Sequence, residues 1–294
     1  MVVPFYLTYL NFAENIIGFL NQATAIVLFS HLLYCVFFKP RKLKVEKLPS
    51  LMLMYILSHW FWCCITIPIQ AYMAIMWRPD RNEYNPYLIF WIGFWLNGYM
   101  VSNPLQVFFL TLDRCLILTF AETYNDHRRR IIFIVSCSSV IIFLAFAFII
   151  SLLELPLDLD KVKNCTSYPC VVIKFKGLHV YYSKIVIGTL NVIFGVGFFI
   201  ALKRRNSKQI KNRIVTVTIL AEIFFNVLPG YCSSLFNSIS GDNIANYLGQ
   251  FVGMFLTCDA LFCSIIYSRI FLRRADNTTP VSKISTRPSG AGSR

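Results

Sequence analysis

Charge is scarce in this chain. Only 14% of its 294 residues are Asp, Glu, Lys or Arg, while 56% are hydrophobic and 16% aromatic, with a mean hydropathy of +0.59. Soluble domains carry about a quarter charged residues, so a water-soluble fold is excluded. Acids are scarcer than bases, 14 against 28. The resulting +14 does not point to nucleic acid, because the basic residues stand in short clusters between apolar runs. No Gly-rich phosphate loop and no basic stripe interleaved with stacking aromatics accompanies them. Histidine is scarcer still, with four in all. His31 and His59 fall in apolar runs without a second His at helical spacing, and His127 and His179 fall between runs. A metal site or a serine nucleophile with its base therefore has no candidate ligands, and neither enzyme activity nor a cofactor is expected. Internal repeats are absent as well, which counts against carriers built from duplicated halves.

What the chain has is apolar runs of 20 or more residues, each long enough to cross about 30 Å of hydrocarbon at 1.5 Å per residue. Seven can be placed, at Ile16 to Phe38, Leu51 to Met76, Leu88 to Leu112, Ile131 to Leu153, Tyr181 to Leu202, Ile214 to Asn237 and Ala245 to Ile270. The expected fold is an all-α seven-helix transmembrane bundle forming one domain over residues 1–274. A Ser- and Thr-rich tail, 275–294, is too poor in apolar residues to order itself and is expected to be disordered and cytoplasmic. The first ten residues lack Lys, Arg and a small-residue cleavage pattern, so the first span reads as an uncleaved anchor. Basic residues are sorted strongly between alternate loops: 21 fall in the loops after spans 1, 3 and 5 and in the tail, and 7 on the opposite side. By the positive-inside rule the N-terminus is outside and the tail inside, facing anionic lipid and cytosolic partners.

At the inner end of span 3 stands Leu112-Asp113-Arg114-Cys115-Leu116. An Arg beside an Asp at the interface can be held in an ion pair and released when helices move; it can also merely snorkel to headgroups. At this place in the third of seven spans the pair resembles the Asp/Glu-Arg-Tyr motif of rhodopsin-like receptors. The longer stretch Asn103-Pro104-Leu105-Gln106-Val107-Phe108-Phe109-Leu110-Thr111-Leu112-Asp113-Arg114-Cys115 resembles helix 3 of nematode serpentine chemoreceptors, class BC. That resemblance implies a G-protein-coupled receptor in the plasma membrane of sensory cilia, serving olfaction or detection of soluble cues, with a small-molecule ligand and a heterotrimeric G protein as partners and Asp113 and Arg114 as the coupling switch. Departures from the wider pattern are plain. Ile265-Ile266-Tyr267 lacks an Asn-Pro ahead of the Tyr, Cys115 replaces the motif Tyr, and no Lys in spans 6 or 7 could carry a retinal Schiff base. A small transporter or channel is the competing reading.

Eight of the ten cysteines fall within or at the ends of spans and behave as small packers. Cys165 and Cys170 alone fall in an outer loop, where a bridge between them is expected, and Asn164-Cys165-Thr166 is a glycosylation sequon on the same segment. Glu222 and Asp259 lie inside spans, where an ionised carboxylate costs a few kcal/mol. With the basic residues assigned to loops, the two acids are expected to be held by protonation or by neutral partners, and His59 lies at a depth where it could meet Asp259. The outer halves of the spans offer Gln70, Trp95, Asn97, Asn191, Asn226, Tyr231 and Gln250 to a small, mostly neutral ligand. Pro229 should kink span 6 by removing a backbone donor and clashing with the preceding turn.

Overall fold

All seven apolar runs are helices long and apolar enough to cross a membrane in this computed structural model. It describes residues 5–38, 48–78, 84–120, 124–162, 168–172, 174, 178–205, 210–240 and 244–276. Helix α1 is Phe5–Phe38, α2 Ser50–Ile75, α3 Pro86–Thr119, α4 Asp126–Leu152, α5 Leu178–Arg205 and α7 Phe251–Asp276. Helix α6 stacks Ile210–Glu222, a π-helical turn Ile223–Val227 and Leu228–Ser240. One-turn helices Leu159–Val162, Tyr168–Val171 and Ala245–Leu248 lie in the connections.

Local chemistry explains several helix starts. Asn85 caps α3 by accepting from the Tyr87 and Leu88 N–H groups, and Pro86 occupies the first turn, where its missing donor costs nothing. Asn125 caps α4 in the same way through Arg128 N–H, and Asp126 complements the helix dipole.

Helix α3 is the axis of the bundle. It packs on α2, α4, α5, α6 and α7, and every residue from Val101 to Val107 is buried. A helix buried on all sides needs no amphipathic stripe. Helix α4 is the opposite case: only Ser136, Ala147 and Ser151 are buried, while Ile141, Ile142, Phe146 and Ile149 face outward, as lipid contact requires. Lipid tails are as apolar as Leu, so close packing and interhelical hydrogen bonds hold such a bundle together. Helix α1 is tied to its neighbours this way. Gln22 donates to Thr66 of α2 at 2.8 Å, and Asn21 to Thr257 of α7 at 3.3 Å.

Among the boundaries that differ from the sequence expectation, three have a physical reason in the packing. Helix α3 continues past Leu112 to Thr119, because the Asp113 and Arg114 side chains are buried in protein and need not mark the membrane edge. Helix α7 begins at Phe251 rather than Ala245. Gly249 interrupts the run with φ +67°, a left-handed conformation that favours glycine, and a Cβ there would collide with the Asn11 and Glu14 side chains. Helix α1 begins well before Ile16 and thereby carries Glu14 into the bundle, where its carboxylate accepts from Gln250 N–H at 2.7 Å. Ahead of Pro229, α6 carries a π-helical turn, Ile223–Val227. A proline ring crowds the carbonyl four residues back, here that of Phe225, which lies within this wider turn.

Candidate functional site

Near the face where the chain begins, α3, α5, α6 and α7 enclose a cavity of about 180 Å³. Its walls mix Leu96, Met100, Val227 and Phe251 with amide and hydroxyl groups. Asn97, Asn226, Tyr231 and Gln250, which the sequence offered as ligand contacts, line it; Gln70, Trp95 and Asn191 do not. Gln70 is buried against Gly18 of α1, Trp95 is exposed beside Phe94, and Asn191 donates to the Pro104 carbonyl at 2.9 Å. A helix presents one face to a cavity, and polarity alone does not say which. Tyr168 forms part of the wall from the connection after α4. Its ring seats where Gly93 leaves α3 bare, a Cβ there coming within 2.5 Å of the ring, and its hydroxyl donates to Ser151 at 3.3 Å. Burial pushes the Tyr168 phenol up from its ordinary range.

Below the cavity lies a polar layer that the sequence indicated only in part. The Asn103 side-chain amide of α3 donates to Glu222 at 3.1 Å and to Asp259 at 3.0 Å, and the Asn226 amide donates to the same two carboxylates at 2.9 and 3.1 Å. Two neutral donors thus tie the acids of α6 and α7 to each other and to α3. Neutral partners were expected for both acids, but Asn103 was not singled out. His59 does not pair with Asp259. Its Nδ1 lies 2.6 Å from the Tyr99 hydroxyl, with the ring edge-on to Tyr55, because α2 faces α3 at this depth. Lys184 also corrects the assignment of all basic residues to loops. It sits in α5 on the cavity wall with its ammonium buried, within electrostatic reach of Glu222.

Toward the opposite face, Asp113 and Arg114 are both buried. The Arg114 Nε lies 3.7 Å from Asp113 Oδ2, and Tyr124, in the connection to α4, donates its hydroxyl to Asp113 Oδ1 at 2.6 Å. Arg129 approaches the same carboxylate at 4.0 Å. Burial, reinforced by the Asp113 carboxylate, pushes the Tyr124 phenol above its ordinary range and keeps it a donor. Tyr124 was missed because the contact closes a loop, which no helical spacing reports. On the α6 side of this face, Tyr267 of α7 pairs with Thr218 at 2.5 Å.

Cys170 is disulfide-bonded, and the eight other cysteines of the described residues are free. Cys165 and the sequon Asn164 lie outside the described residues, as does the tail beyond Asp276.

Comparison with protein-family models and with curated proteins gives no match. The architecture is that of a multi-pass membrane protein with seven long apolar helices, of which α3 is central and packs on α2, α4, α5, α6 and α7.

Proposed function

We propose that this chain is a chemosensory G-protein-coupled receptor of the nematode serpentine kind, close to class BC. It sits in the plasma membrane of sensory cilia with its N-terminus and the Asn164 sequon outside. A small cue enters the cavity bounded by Asn97, Asn226, Tyr231 and Gln250, and a heterotrimeric G protein meets the basic face near Arg114. The observation that carries this reading is the layering along α3. A cavity at Asn97, an interhelical polar layer at Asn103 and a buried Asp113–Arg114 pair follow one another on one helix. From Asn97 to Arg114 the helix rises about 25 Å at 1.5 Å per residue. A ligand that shifts α6 or α7 disturbs the shared donors of Asn103, and the disturbance is offered to the pair below. The protein is not expected to be an enzyme.

The test is nucleotide exchange on a G protein reconstituted with the full chain and screened against volatile and soluble cues. With an agonist in hand, Arg114→Ala should keep surface level and ligand binding while losing most of the exchange, and Arg114→Lys, which lacks the planar fork, should recover little. Normal exchange in Arg114→Ala at equal surface density sinks the switch role. Cue-driven substrate flux without exchange would favour a transporter.

A further inference from the structure

Among the described residues that line the cavity, Lys184 alone carries a formal charge. It stands two residues inside the span Tyr182–Arg205, close enough to the helix end for a lysine stem to reach the headgroups and leave its ammonium in water. It does not do so. Its Nζ is buried and makes no hydrogen bond, although an ammonium has three protons to donate. The opposite charge acting on it is Glu222, whose Oε2 is engaged by the Asn103 and Asn226 amides and whose Oε1 is buried without a hydrogen bond from Lys184 or another described residue. A buried cation that forgoes both water and a direct partner costs free energy unless another group completes it.

We infer that the cavity is built for a small carboxylate, with the anionic head against Lys184 and a short aliphatic tail along Leu96, Met100, Val227 and Phe251. The Asn226 amide hydrogens are taken by Glu222 and Asp259, so Lys184 is the charged donor left for the head, and the Tyr231 hydroxyl, which pairs with Thr189 and the Ile185 carbonyl, holds the α5–α6 seam on the cavity wall. Size restricts the tail. About 180 Å³ is below the roughly 300 to 1,000 Å³ of pockets that take drug-sized ligands. A peptide or a long-chain lipid does not fit; an acid of six to eight carbons is the appropriate scale. This assigns a ligand class to the cavity of the receptor reading and rests on that reading only for the consequence of binding.

The test separates the two. Full-length protein in nanodiscs is titrated with hexanoate and octanoate and with their methyl esters, and binding is read by thermal stabilisation and by isotope-labelled ligand, with no G protein present. The wild type should bind each acid on the order of ten- to a hundredfold tighter than its ester, as expected for hydrogen bonds made to a buried charge. The preference should vanish in Lys184→Gln and return in part in Lys184→Arg. Equal binding of acid and ester to the wild type, or no binding of either, overturns the inference without any variant being needed. So does a preference that survives in Lys184→Gln. Lys184-dependent binding without nucleotide exchange in the reconstituted system keeps the anion site and removes the receptor reading. Exchange driven by neutral cues alone, with no acid binding, does the reverse.

Discussion

Tyr99 and Tyr124 each donate to or share a proton with one titratable neighbour, and the two pairs differ in what their loss exposes. The Nε2 of His59 is buried, and its interaction with the Asn103 side chain falls short of a hydrogen bond. Tyr99→Phe would leave Nδ1 bare as well, at a cost of about 1 to 3 kcal/mol. His59→Phe in the same chain should return part of that loss, so the double variant should melt closer to the wild type than the two single shifts predict. Simple addition of the shifts would dismiss the pairing. Tyr124→Phe removes the 2.6 Å donor to the buried Asp113 carboxylate and should cost about 1.5 to 3 kcal/mol. If the Asp113–Arg114 pair is a switch, the same change should raise basal nucleotide exchange at unchanged surface level, which a purely structural bond would not do. Tyr84 supplies a pH prediction. Its hydroxyl donates to the Met73 carbonyl at 3.1 Å, and burial pushes its phenol up to about 12. A raised folded value means that the neutral form is favoured by folding. The stabilisation is therefore complete below about 10, the unfolded value, and fades as pH rises toward 12. Melting temperatures of wild type and Tyr84→Phe should converge over that interval, and a constant gap would refute the link.

Elements were easier to read from sequence than their ends. Seven apolar runs could only be spanning helices, because an unpaired backbone has no place in hydrocarbon, and that requirement is blind to tertiary detail. The ends were set by charge, and charge misled where protein replaces water. Charge patterning leaves Glu14 out of α1, counts Lys184 with the outer-side charges although it lies within the expected span Tyr181 to Leu202, and puts Arg114 at an edge, yet all three have buried side chains or buried charged atoms. The candidate site was legible to the same extent. Asn97, Asn226, Tyr231 and Gln250 could be proposed from depth and polarity, whereas Lys184, Asn103 and Tyr124 depend on which face each helix turns to its neighbour. Two glycines test the connections. Gly93→Ala should displace the Tyr168 ring and so weaken binding at the cavity, with delivery to the surface retained; unchanged affinity would show the Tyr168 seat to be dispensable. Gly249→Ala faces about 1 to 2 kcal/mol of left-handed strain together with the clash against Asn11 and Glu14. It should lower the melting temperature more than Gly197→Ala, where the space for a Cβ is open.

For the whole molecule the first matter to test is orientation. The sorting of 21 basic residues to one side predicts that a tag at the N-terminus is reached by antibody on intact cells and that one after Arg274 is reached only after permeabilisation. The opposite pattern would place the cavity on the cytosolic side and remove the receptor reading with it.

The π turn in α6 has a consequence for phase. An α-helix advances about 100° per residue, and a single π turn accommodates one residue more than the α-helical pitch allows. Everything from Leu228 to Ser240 is therefore rotated by about 100° relative to a regular continuation of Ile210–Glu222. Tyr231 meets Thr189 and the cavity because of that offset. Deleting Phe224, which faces outward, would remove the extra residue and let α6 run as one regular helix with Tyr231 still in the seam, whereas closing the π turn with every residue kept would swing Tyr231 out while leaving Glu222 in its layer. Whether the π turn is kept or closed at constant length therefore sets which side of α6 a ligand meets.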